Sequence, residues 1–217
     1  LTMQDKLFSL WPVNILHRAY PNHDNDKKKL LEFIDNYKRE NPHSRVGSEN
    51  SNLYESKYDL IQYIEKNEAL KNLVIFIGQG FKDISFHTNR EAWEAKDMDP
   101  SNISTHVKAM WFIDYKESGF VFPHTHTGCS WSMVYYLSSS KEKKGDPYAG
   151  THFFSPFNKA DSDDPGNSYS HESSRNLIPS EGEAIFFPSS IIHSTYPNNN
   201  QSNKIIFSAN CSFSYSG

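Results

Sequence analysis

His124 and His126 stand two residues apart in FPHTHTGCSWSMVYYL, residues 122–137, directly after a proline. On a β-strand, residues i and i+2 project to the same face, so two imidazoles so placed lie about 6 to 7 Å apart and can converge on one metal ion. A third ligand must then come from elsewhere in the chain. His193, in FFPSSIIHSTYP, follows a run, GEAIFFPSS, that reads as a buried strand after a turn, and it is the best candidate. Neutral imidazole suits iron, zinc, copper and nickel. His152, in GTHFFSPF, is a weaker candidate for the same cavity. Cys129 lies near the pair in sequence but reads as a small apolar loop residue rather than a ligand.

The elements that must hold these residues are strands. HVKAMWFIDYK, GFVFPH, SWSMVYYLS, GTHFFSPF, GEAIFFPSS and NKIIFSANCSFSY are short, rich in β-branched and aromatic residues, and separated by Gly, Pro, Asn and Ser clusters. That pattern predicts a β-sandwich or barrel over residues 106–217. KEKKGDPYAG and NKADSDDPGNSYSHESSRN read as solvated loops between strands. The first 105 residues differ in character and predict a mostly helical supporting region of the same domain. Residues 24–41 place Leu30, Leu31, Phe33, Ile34 and Tyr37 at helical spacing, with Asp24 or Asp26 as a cap. Residues 55–67 repeat the pattern with Leu60, Ile61 and Ile64. Leu70, Leu73, Ile77, Phe81 and Ile84 continue it, although Gly78 and Gly80 each weaken a helix by about 1 kcal/mol. Residues 96–105 read as a loop.

Composition narrows the function. The chain has 217 residues, enough for a single domain with a real core, and a net charge of −4, which gives no reason to expect nucleic acid or an acidic membrane surface as partner. Two cysteines, Cys129 and Cys211, do not make a disulfide framework. No apolar run approaches a bilayer span and no leader is visible, so a cytoplasmic protein is expected. Residues 24–67 either pack on the sheet or form a homodimer contact.

HTHTGCSWSMVYYL, AGTHFFSP and EGEAIFFPSSIIHSTYPNNNQSNKIIFSAN together resemble the iron- and 2-oxoglutarate-dependent oxygenase superfamily, and most nearly a small group within it that carries H-x-H. KLFSLWPV resembles the opening of that group. The resemblance covers residues 106–213 and implies a double-stranded β-helix, a cupin-like jelly roll with helices packed on one sheet. It implies Fe(II) bound by His124, His126 and His193, with 2-oxoglutarate and O2 as co-substrates. His126 then stands where the wider superfamily has a carboxylate, which leaves the site one charge more positive. Lys204, eleven residues after His193, stands where an Arg usually anchors the far carboxylate of 2-oxoglutarate. Lys neutralises as a point charge and cannot make the planar bidentate pair. Ser208 and Asn210 share its strand face and join it as co-substrate contacts, as does Tyr115. Even steps from the histidines favour Tyr136 over Tyr135 as the inward ring. Met133, where the group has Gly, narrows the pocket only if it faces inward. Trp111 and Trp131 are core or pocket wall.

The activity implied is a dioxygenase that hydroxylates a small-molecule or peptide substrate, releasing succinate and CO2. Two rivals stand beside it: a cupin-like three-histidine metalloprotein that uses no 2-oxoglutarate, and a non-catalytic metal-containing binding domain. A jelly roll alone does not choose among them.

Overall fold

The computed structural model describes residues 13–43, 52–139, 150–157, 172–198 and 204–217. Apart from Val13, KLFSLWPV lies outside them, as do residues 140–149 and 158–171 of the two long loops.

Among the described residues, nine strands and two α-helices make a mainly β fold, a double-stranded β-helix. The larger sheet is antiparallel and runs β1 (Leu16–Ala19), β7 (Glu183–Pro188), β4 (Trp131–Ser138), β9 (Lys204–Tyr215), β3 (Ile103–Tyr115) and β2 (Leu53–Glu55). The smaller sheet is β6 (Ser174–Leu177), β5 (Thr151–Phe154) and β8 (His193–Ser194). Both edge strands of the larger sheet come from the N-terminal part of the chain. Helices α1 (His23–Glu40) and α2 (Glu68–Glu94) cover its outer face.

Strand alternation sorts the core into two layers. Met110, Phe112, Met133, Tyr135, Phe186, Phe207 and Ala209 face the helices and meet Leu30, Ile34, Leu70, Leu73, Ile77 and Phe81. Trp111, Ile113, Tyr115, Val134, Tyr136, Ile185, Phe187 and Ile206 face the smaller sheet and meet Phe153 and Ile191. The central strands β4 and β7 are therefore apolar on both faces, which is why WSMVYYL and AIFF read as continuous hydrophobic runs. Met133 belongs to the helix side, so it does not narrow the pocket.

Several local expectations change. α1 begins at His23 without a side-chain cap, because Asp26 is buried and accepts from the Tyr20 hydroxyl (2.6 Å) and the Asn72 amide (3.3 Å) instead. Residues 55–67 are not one helix: the segment is strand up to Glu55, bridges Asp59 to Met110, and then makes a 3₁₀ turn at Leu60–Lys66. Pairing with β3 outweighs the helical spacing there. The expected loop at 96–105 ends early, since β3 starts at Ile103. Residues 174–176, read as the end of a loop, belong to β6, which pairs with β5.

Gly80 marks the closest approach of α2 to the sheet. A Cβ there would stand 2.2 Å from the ring of Phe186, whereas one at Gly78 would meet nothing within 4 Å. Asn67 caps α2, its side chain accepting from Leu70 N–H at 2.9 Å. Among the described residues no helix is long and apolar enough to cross a membrane.

Candidate metal centre

The two-residue strand β8 carries the chain from the larger sheet to the smaller one, and His193 lies on it. Its backbone exchanges two hydrogen bonds with His124, each 3.0 Å. His126 N–H donates to Ser189 O at 3.0 Å, in the turn just before β8. GFVFPH is thus not a strand. Pro123 has no N–H, and residues 119–126 are held as an irregular loop by Gly119, Val121, His124 and His126 along the 189–198 segment. The histidines converge through this loop, not through shared strand geometry.

The convergence itself is close. One ligand nitrogen from each of His124, His126 and His193 lies within 4.8 Å of the others. The Nε2 atoms of His126 and His193 are 3.3 Å apart. Imidazole nitrogens about 2.1 Å from an ion sit about 3 Å from one another, so His126 and His193 already hold that spacing. The Nδ1 of His124 donates to Phe122 O (2.8 Å) and that of His193 to Ile191 O (3.0 Å). Carbonyl acceptors fix both rings with Nδ1–H, which leaves Nε2 a lone pair for a metal. Burial and the neighbouring His124 push His126 down to about 4 and His193 down to about 3. Both are neutral imidazoles at pH 7 and need not lose a proton to ligate. The donor set fits a first-row metal ion, Fe(II) included.

These nitrogens lie at the mouth of a cavity of about 510 Å³ between the sheets. Trp111, Ile113, Val134 and Ile206 form much of its apolar wall, and Trp111 reaches within 5.7 Å of the His126 ring. Lys204 lies just behind this lining, beside Tyr115 and the Gly150–Thr151 backbone. It is 3% exposed, its ammonium donates to Gly150 O at 3.0 Å, and its Nζ stands 4.8 Å above the Tyr115 ring and 5.8 Å from that of Tyr136. No carboxylate among the described residues forms an ion pair with it. Burial lowers its pKa to about 7. Tyr136 is the inward ring of its pair; its hydroxyl shares a 2.7 Å hydrogen bond with Thr151, and that of Tyr115 bonds to Thr195. Burial holds both phenols above their ordinary range, so they remain protonated.

Ser208 and Asn210 line the cavity, Asn210 beside His126. Cys129 lines the mouth and contacts Ser189 (3.1 Å), outside the histidine cluster. His152 faces away: it pairs with Ser194 and Asn176, and its ring meets Phe154 and Tyr196. Thr151, Thr195, Glu55 and Tyr58 also line the cavity and were not singled out from the sequence. Thr151 was legible in principle, two residues before the inward Phe153 on one strand. Glu55 and Tyr58 were not, because they come from the segment read as helix.

Residues 109–210 match the family model described as "Putative 2OG-Fe(II) oxygenase". Among solved structures the chain is similar to a Pseudomonas putida prolyl-4-hydroxylase, at 13% identity over 94% of this chain and 94% of that one, with a TM-score of 0.55. It is similar to HygX from Streptomyces hygroscopicus with nickel, 2-oxoglutarate and hygromycin B bound, at 9% identity over 92% and 83%, TM-score 0.56. It is also similar to the viral collagen prolyl hydroxylase of Paramecium Bursaria Chlorella virus-1 in its 2-oxoglutarate complex, at 14% identity over 91% and 94%, TM-score 0.50. No curated protein matches the chain. At these identities the structural likeness establishes the fold.

Proposed function

We propose that this protein is an Fe(II)- and 2-oxoglutarate-dependent dioxygenase, a reading supported by the match of residues 109–210 to the 2OG-Fe(II) oxygenase model. It hydroxylates a small-molecule or peptide substrate and releases succinate and CO2. One observation carries the reading: three imidazoles converge at a cavity that Tyr115 and Thr151 also line, and beside those two residues lies a buried lysine that meets no carboxylate among the described residues. Fe(II) held by His124, His126 and His193 supplies O2 activation, with 2-oxoglutarate as the reductant.

The chain's own residues bind and orient. Lys204 neutralises the far carboxylate of 2-oxoglutarate in a site too dry for water to do so. Tyr115 and Tyr136 box the ammonium, and Ser208 offers a hydroxyl on the same strand face. Trp111, Ile113, Val134 and Ile206 line the cavity with apolar surface and exclude water from it. The all-imidazole donor set also suits zinc in a cupin-like protein that uses no 2-oxoglutarate. Lys204 favours the oxygenase, because burying an ammonium is costly unless an anion meets it.

The test is to add 2-oxoglutarate to the anaerobic Fe(II)-loaded protein. A weak visible charge-transfer band is expected, followed by succinate formation on exposure to O2. His193→Ala should abolish both. Absence of the band and of succinate in the unmodified protein refutes the proposal.

A further inference from the structure

Two of the three histidines have their tautomer fixed by a backbone carbonyl, as described above. His126 has none. Its Nδ1 faces the side-chain amide of Asn210, whose Nδ2 is 3.5 Å away. The other end of that amide meets Ser132, whose hydroxyl donates to Asn210 Oδ1 at 2.9 Å. Ser132 Oγ also lies 2.9 Å from Ser189 Oγ, which takes the S–H of Cys129. Asn210 is placed for this by register: it pairs with Ser132 across β4 and β9, directly below the loop that carries His126.

An amide's oxygen and nitrogen occupy nearly the same envelope, so two hydrogen-bond chains fit this geometry. In the first, Asn210 donates to His126 Nδ1. The ring's proton is then on Nε2, where it points at His193 Nε2, 3.3 Å away. That tautomer offers a metal no lone pair from Nε2. In the second, the amide is turned by 180°. His126 Nδ1–H donates to Asn210 Oδ1, Asn210 Nδ2–H donates to Ser132 Oγ, and Ser132 donates to Ser189. In the second chain His126 Nδ1–H, the Asn210 amide and the Ser132 hydroxyl all have partners, and His126 presents Nε2 to the same point as His124 and His193. The ring stays neutral in both, so the two differ only in where one proton sits.

We infer that Asn210 is a positioning residue for His126: its amide oxygen accepts the ring's Nδ1–H and so selects the tautomer that ligates. This rests on the three-histidine centre proposed above, and it gives Asn210 a role at the metal rather than at the co-substrate. A ligating imidazole held by an outer acceptor is both better aimed and more basic. The device matters most at His126, since that is the position where a carboxylate, which has no tautomer to choose, serves the wider superfamily.

The test uses the full chain, ¹⁵N-labelled at histidine and loaded with Zn(II), which is diamagnetic. In the unmodified protein His126 should show a protonated Nδ1 in slow exchange and a zinc-bound Nε2. Asn210→Leu keeps the volume and removes the acceptor. Zinc affinity should fall about 10- to 100-fold, and the His126 Nδ1–H should exchange with solvent. Asn210→Asp, an acceptor only, should restore affinity to at least the unmodified level and move the His126 Nδ1–H resonance downfield, which a merely structural role would not do. Affinity within twofold and an unchanged His126 spectrum in Asn210→Leu overturn the inference and leave the metal centre standing. Should Asn210→Leu fail to fold, an unchanged His126 resonance in Asn210→Asp overturns it. If the unmodified protein does not bind zinc through the three histidines, the underlying reading fails and the inference with it.

Discussion

Replacing Lys204 by Met separates the two things this buried ammonium does. Met keeps a stem of similar length between Tyr115 and Tyr136 and removes the charge. In the folded protein the Lys204 pKa is about 7, against an ordinary 10.5, because burial disfavours the charged form. Between those values the unfolded chain holds a proton that the native chain does not. Stability therefore rises with pH across that window, by about 1.36 kcal/mol per unit for one proton. Lys204 is wholly buried, so solvent screening takes little from this. Over pH 7 to 9 the unmodified protein should gain about 2 kcal/mol relative to Lys204→Met, the remaining groups cancelling between the two. Urea denaturation of both proteins at pH 7, 8 and 9, without 2-oxoglutarate, measures the difference. Saturating 2-oxoglutarate should remove the slope, because a carboxylate beside Nζ restores the proton. The variant should lose at least about a hundredfold in 2-oxoglutarate affinity, the order expected when a buried charge loses its partner. A stability difference that does not change with pH would show that Lys204 keeps its proton, and the argument from its burial would fail. A variant that binds 2-oxoglutarate normally would remove Lys204 from the co-substrate site.

Three further outcomes follow from the packing. Gly80→Ala should destabilise by about 1 to 3 kcal/mol, since its Cβ meets Phe186, while Gly78→Ala should stabilise by about 0.5 to 1 kcal/mol; thermal unfolding of the pair decides it. Tyr20→Phe removes a 2.6 Å hydrogen bond to buried Asp26 and should cost about 1 to 3 kcal/mol by urea titration, with little change in zinc affinity. The metal-free protein should lose stability as pH falls from about 6.5 toward 4, because the unfolded imidazoles take up protons that His126 and His193 refuse. His193→Asn should flatten that slope in urea titrations at pH 6.5, 5.5 and 4.5.

The site was more legible than the path to it. His124, His126 and His193 were readable as a set because metal chemistry restricts residue type, and the structure brings all three together. The reason first given, a shared strand face, does not hold, since Pro123 and the pairing to the 189–198 segment make that stretch a loop. Tyr136 is the inward ring, as read, but the even-step count from the histidines does not explain it, because a loop separates them from β4. The 55–67 segment misled because its apolar spacing is helical while its first residues complete a sheet edge, and long-range pairing overrides local rhythm.

The sequence by itself determined the residue chemistry, the run of strands and the inward or outward sense of most strand positions, because side-chain type and a period of two are local properties. Only the tertiary structure decided that Lys204 is buried beneath two phenol rings and not on an exposed edge, that Gly80 is required where Gly78 is not, and that Asn210 lies against His126. Each of these depends on which strands become neighbours, and neighbours separated by dozens of residues are chosen by the packing of the whole core.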